Sequence, residues 1–249
     1  MPDVNRLMSL TFAALLLTNL AGCGHSVAGS STIVAPAGPF TPAGESHRLP
    51  RTLAGALGIL APEARREFEP ACRAARIAWP PAQITLLAFK QEKVLEAWGA
   101  NPSGRFAFIA RFPILAASGT AGPKRREGDM QVPEGIYRID MLNPASRFHL
   151  SMRVAYPNVE DVANATVPRS RMGGDIYVHG NAVSAGCIAI GDAAIERVFA
   201  LVALARPSGR RIILSPVDFR SGASTAEPAQ PWVREIYARI RSALRDFRQ

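Results

Sequence analysis

His179 and Cys187 are the residues of this chain whose types and spacing could do chemistry. His179 closes an apolar run, Ile176-Tyr177-Val178, and is followed by Gly180. Cys187 comes eight positions later in a small-residue turn, Ser184-Ala185-Gly186-Cys187, with a second apolar run behind it. A cysteine whose thiolate is made available is a nucleophile toward carbonyl carbon. An imidazole can take the thiol proton, or pair with the thiolate, and later protonate a leaving amine. The amides of Gly186 and Cys187, with Ala185, are candidates to face a developing oxyanion, and Ser184 can fix the turn through its hydroxyl or serve as a plain turn serine. The chemistry so described is acyl transfer through a thioester. A buried cysteine and a turn histidine would give the same pair of letters, because free cysteine is among the most buried residue types.

Something must hold this pair, and the flanking periodicity says what. Short β-branched or aromatic runs bounded by turn residues predict strands at residues 84–90, 93–98, 105–111, 113–118, 135–141, 147–154, 175–179 and 211–217. Leu53, Leu57 and Leu60 recur at helical spacing, and Pro62 predicts the start of a second helix through Ala64, Phe68, Cys72 and Ile77. Asp192 is placed to cap a helix reaching Leu204, with Ile195, Val198, Phe199 and Val202 inward. A last amphipathic helix spans 231–248, with Trp232, Ile236, Ile240, Leu244 and Phe247 on one face, expected to dock on the domain. The fold class expected is mainly β with flanking helices (α+β). Twenty prolines and twenty glycines in 249 residues suit the many turns of such a fold.

The order of motifs adds a family. The segment IYVHGNAVSAGCIAIGD (176–192) resembles the active-site signature of the YkuD-type L,D-transpeptidases, and its short gap resembles their YafK-like branch. Ser118-Gly119, GPKRREGDMQVPEGIYRI (122–139) and FHLSMRVAYPN (148–158) are similar to that branch in the same order. The commoner family form has a second histidine two positions before the cysteine, where this chain has Ala185, which leaves His179 as the nearby base. The resemblance implies a β-rich catalytic domain with Cys187 as nucleophile, His179 as general base and acid, and the carbonyl of Gly180 orienting the imidazole. It implies action on peptidoglycan stem peptides, at the carbonyl of the L-centre of diaminopimelate, in cell-wall biogenesis or remodelling. Capture of the acyl-enzyme by an amine gives a crosslink. Capture by water makes the chain a hydrolase, for example one releasing a wall-attached lipoprotein. A non-catalytic peptidoglycan-binding lipoprotein is a second alternative, and a structural envelope protein, resting only on the basic surface and the anchor, a third. His149, Tyr156 and Asn158 are substrate-binding candidates by their place in the FHLSMRVAYPN segment. Lys124, Arg125 and Arg126 read as a solvated basic turn, and Asp129 and Glu134 as structural.

The N-terminus bears on where this happens. Arg6 precedes a short apolar stretch, Leu7–Leu17, and Leu20-Ala21-Gly22-Cys23 resembles a bacterial lipobox. Residues 1–22 are then a lipoprotein signal peptide, Cys23 the lipidation site, 23–48 a flexible tether, 49–81 a helical segment, 82–220 the catalytic domain, and 221–249 a linker with the C-terminal helix. The expected location is the periplasm-facing cell envelope, by lipid anchor on the outer membrane of a Gram-negative cell. Three cysteines cannot make a disulfide framework, so Cys72 is expected as a buried free thiol on a helix. A net charge of +9 favours anionic envelope polymers or headgroups. Export and the lack of a basic motif with stacking aromatics argue against nucleic acid. No metal-ligand spacing is present, so neither a metal nor another cofactor is expected.

Overall fold

The computed structural model describes residues 49–226, 228 and 230–248. The expected signal peptide, Cys23 and most of the tether lie outside the described residues.

Among the described residues, four α-helices and nine strands follow one another as α1 (Leu53–Ala74), β1 (Gln83–Phe89), β2 (Val94–Ala100), β3 (Ala107–Pro113), β4 (Ala116–Ala117), β5 (Gly135–Ser146), β6 (His149–Val154), α2 (Val159–Ala163), β7 (Tyr177–His179), β8 (Ile188–Ala189), α3 (Asp192–Leu204), β9 (Arg210–Ser215) and α4 (Pro231–Leu244). The strands form one mixed sheet in the order β3-β2-β1-β9-β5-β6-β7-β8-β4. This is the expected α+β class.

The centre of the sheet is covered on both faces, which is why β1 is buried along nearly its whole length rather than at alternate residues. Ile84, Leu86 and Ala88 of β1, with Ile212 and Leu214 of β9, join the core under α1 and α3. Leu87 and Phe89 of β1, Trp98 of β2 and Ile213 of β9 join a second core under α4. The C-terminal helix therefore spends its apolar stripe (Val233, Ile236, Tyr237, Ile240, Leu244) on the sheet. Among the described residues no helix is long and apolar enough to cross a membrane.

Two expectations change. Pro62 does not start a second helix: α1 runs unbroken through Pro62 and Pro70, capped by Thr52 Oγ1, which accepts the Gly55 amide at 3.2 Å. An internal proline costs about 3 kcal/mol. Here both prolines are exposed, so each freed carbonyl faces water, while the inward stripe Ala56, Leu60, Ala64, Phe68 and Cys72 continues at a spacing of four. Asp192 does not cap α3. Gly191 holds the cap position at φ 82°, and the Asp192 carboxylate turns back to accept the Asn181 amide at 2.7 Å.

Strand β5 is the joint of the sheet. Its first half pairs β9 (Gly135↔Leu214 to Arg138↔Arg211), and its second half pairs β6 (Ile139↔Val154 to Ser146↔His149) with irregular register. The far half, β6-β7-β8-β4, carries the histidine and the cysteine.

Candidate active site

β6 pairs β7 antiparallel, with Ser151 opposite His179 and Arg153 opposite Tyr177. β7 pairs β8 in parallel, with Val178 opposite Ile188 and His179 opposite Ala189. Cys187 immediately precedes β8 and so enters the sheet one residue before the position opposite Val178. The loop 180–187 arches from one to the other.

His179 is buried, 2% exposed. Its Nδ1–H donates to the Gly180 carbonyl at 2.6 Å, the tautomer that leaves Nε2 with a free lone pair. The Phe148 ring lies against the imidazole, centroids 4.6 Å apart at 31°. Burial pushes the imidazole below its ordinary pKa, with the Gly180 bond pulling weakly the other way. Gly180 has no room for a side chain: a β-carbon there would run into the Asp192 carboxylate and lie 2.7 Å from the Phe148 carbonyl.

Cys187 is half-buried and free. Its Sγ–H donates to the Asp175 carbonyl at 3.5 Å. Burial pushes the thiol up and the Asp175 carboxylate adds to this, while the Tyr177 amide and the Lys124 ammonium act in the opposite sense. A thiol pushed up and an imidazole pushed down are both neutral at pH 7.

The turn that carries the cysteine is tied by two hydroxyls. Ser184 Oγ donates to the Cys187 carbonyl at 2.7 Å and accepts the Cys187 amide at 3.2 Å. Ser118, just after β4, accepts the Gly186 amide at 2.6 Å on its Oγ and gives its own amide to Ser184 Oγ at 3.2 Å. Gly186 takes φ 105°, a conformation that favours glycine. Two of the three amides expected to face an oxyanion, those of Gly186 and Cys187, thus already have acceptors. Among the described residues the Ala185 amide has none.

Of the substrate-binding candidates, Tyr156 faces a groove that shares Asp175 with the surroundings of Cys187. The groove, of about 410 Å3, is also lined by Arg153, Arg169 and Gly173-Gly174-Asp175. His149 lies beside Gly180, 3.1 Å from where a β-carbon there would sit, but its ring is turned to α3, and Asn158 serves α2. His149, at φ 69° in the β5–β6 hairpin, turns its Nε2 to Glu196 of α3 at 2.6 Å, and that carboxylate raises its pKa. Asn158 caps α2, accepting the Asp161 amide at 2.9 Å in a reciprocal capping box.

The basic turn is not solvated throughout. Lys124 is buried, its Nζ 2.7 Å from Asp129 and 2.8 Å from the Arg126 carbonyl, and Asp129 also accepts the amides of Arg125, Arg126 and Gln131. Below it, Glu134 is fully buried and binds Lys90 Nζ at 2.9 Å, the Gly122 amide at 2.9 Å and the Tyr237 hydroxyl at 2.7 Å. Lys90 in turn donates to the carbonyls of Thr120 and Val132. This network clamps the segment that carries Ser118. Among the described residues no three His, Cys, Asp or Glu side chains form a group that could hold a metal.

Sequence reading found no role for Ser118, Asp175, Tyr177 or Phe148. Ser118 is 68 positions from the amide it binds, and no local spacing signals such a bond.

Residues 91–214 match the family YkuD, the L,D-transpeptidase catalytic domain. Over 121 residues the chain is 31% identical to "Putative L,D-transpeptidase YafK" of Escherichia coli (strain K12), covering 48% of this chain and 47% of that one. The chain thus spans about half the length of the curated relatives it matches. Among solved structures, the helical cell shape determining protein Pgp2 of Campylobacter jejuni is similar at 22% identity and a TM-score of 0.42, over 53% of this chain and 46% of that one. Bd1075 of Bdellovibrio bacteriovorus is similar at 20% identity and a TM-score of 0.41, over 56% and 50%.

Proposed function

The chain belongs to the YkuD family of L,D-transpeptidase catalytic domains through its residues 91–214, and on that premise we propose that it is a cysteine-dependent acyl transferase acting on peptidoglycan stem peptides in the cell envelope. The observation that carries this is the β7–β8 register. It puts Ala189 opposite His179 and Ile188, the residue after Cys187, opposite Val178, and the His179 Nδ1 is committed to the Gly180 carbonyl, which supports reading Cys187 and His179 as a pair.

The proposed steps are these. Cys187 Sγ attacks a diaminopimelate carbonyl as His179 Nε2 takes the thiol proton. The oxyanion forms near the Ala185 amide, on a turn that Ser118 and Ser184 hold rigid. The imidazolium then protonates the leaving amine, and a thioester remains on Cys187. The groove beside Tyr156 and Arg153 holds the acyl donor. An amine acceptor completes transpeptidation; water completes hydrolysis. The lipid anchor at Cys23, and the outer-membrane location it implies, belong to the same proposal.

The test is product analysis. The full chain, purified in neutral detergent, is incubated with sacculi and defined tetrapeptide muropeptides, beside Cys187→Ala. New crosslinks identify a transpeptidase; cleaved products or released wall-bound protein identify a hydrolase. No product that depends on Cys187 would sink the enzymatic reading in favour of a wall-binding role.

A further inference from the structure

We propose a second binding site, for an organic phosphate, at the other end of the strand order from Cys187. A cavity of about 640 Å3 opens between β3, the end of α4 and the segment 218–221. That is the size of a site for an organic molecule rather than a bare ion.

Its wall holds five arginines (111, 220, 241, 245 and 248) against a single carboxylate, Asp218. The floor is built. Glu96, 1% exposed, accepts Arg111 at 2.6 Å, Arg220 at 2.9 Å and the Trp98 indole at 2.9 Å. Arg220 is further fixed by Asp218 at 2.8 Å and by the Phe247 carbonyl at 3.0 Å. Glu96 and Asp218 are thereby consumed by Arg111 and Arg220. Arg241, Arg245 and Arg248 have no carboxylate partner among the described residues. Arg241 lies over the Phe219 ring at 4.2 Å, and Arg245 bonds the Ser242 hydroxyl at 2.6 Å.

The nearby C-terminus of α4 offers about half a negative charge. Three uncompensated guanidiniums exceed it severalfold. Planar guanidinium forks bind phosphate oxygens in pairs. The rings of Phe219 and Phe247 form an apolar wall beside them, so the fitting ligand carries a phosphate on an organic body. A lipid headgroup and a free phosphate ester share that chemistry. This site rests on different residues from the acyl-transfer reading and stands or falls without it.

The test measures binding to the full chain in neutral detergent by calorimetry. The probes are glycerol 3-phosphate, short-chain phosphatidylglycerol and short-chain phosphatidylcholine. The variant Arg241→Gln/Arg245→Gln/Arg248→Gln is compared with Arg76→Gln/Arg147→Gln/Arg206→Gln, which removes the same charge from exposed positions elsewhere. We expect one of the two net-anionic probes, glycerol 3-phosphate or phosphatidylglycerol, to outbind phosphatidylcholine, whose phosphate is neutralised by its choline. The pocket triple should lose about tenfold or more of that affinity, while the control triple stays within about threefold. Binding of glycerol 3-phosphate identifies a free ester as sufficient; binding of phosphatidylglycerol alone identifies a headgroup. Equal loss in both triples means net charge alone, and overturns the site. So does a failure of both anionic probes to outbind phosphatidylcholine on the unsubstituted chain.

Discussion

Ser118→Ala removes one oxygen from the turn that carries the nucleophile. The Gly186 amide is buried and donates to Ser118 Oγ at 2.6 Å. Without that oxygen, the amide has no acceptor in a place water does not reach. Leaving a buried donor unpaired costs about 1–3 kcal/mol. Ser184 still ties both ends of Cys187, so the fold survives, and the cost is concentrated at Gly186 and the residue that follows it. If the turn relaxes to relieve it, Cys187 moves off line. At about 1.4 kcal/mol per factor of ten, acylation then slows by about 5- to 140-fold. Urea denaturation reads the first quantity and the rate of Cys187 thioester formation reads the second. Ser118→Thr keeps the oxygen and should recover most of both. A loss of stability below about 0.5 kcal/mol in Ser118→Ala, with an unchanged rate, would refute the reasoning.

The other predictions concern buried charge. Glu134→Ala strands Lys90, which is 6% exposed, and should cost about 3–5 kcal/mol in denaturant titration, with Glu134→Gln costing less. His179 sits below its ordinary 6.5, so the neutral base persists as pH falls, and the acid limb of kcat/KM should lie below pH 6.5. The paired thiol is pushed up, so the ultraviolet thiolate signal that Cys187→Ala removes should be small at pH 7. Burial lifts Asp161 from 3.8 to about 6. A carboxyl raised in the folded state stabilises below pH 3.8 and loses that contribution as pH rises through about 6; stability should fall by about 2–3 kcal/mol across that window, and Asp161→Asn should flatten the slope.

What the sequence made legible was whatever repeats at short range. Ile195, Val198, Phe199 and Val202 are inward on α3 because a helical stripe is visible in the letters. The strands expected at 93–98 and 105–111 follow in the same way from the turn residues that bound them. The one helix across Pro62 was not legible, because its continuity depends on which face the sheet covers. At the site, the HG pair, the small-residue turn and the cysteine are local and were readable. The bonds from Ser118 to Gly186, from Cys187 to Asp175 and from His149 to Glu196 join residues 68, 12 and 47 positions apart. Only the folded sheet sets those distances. His149 and Asn158 show the hazard of carrying a role over by neighbourhood: each sits in a motif beside the site, yet each side chain serves an adjacent helix.

The most direct measurement is the intact mass of the full chain after brief exposure to a diaminopimelate-containing tetrapeptide, followed by peptide mapping. The account predicts an acyl adduct on Cys187, formed with loss of the terminal residue, absent in Cys187→Ala and strongly reduced in His179→Ala. No adduct on Cys187, or an adduct that forms as fast without His179, would contradict it.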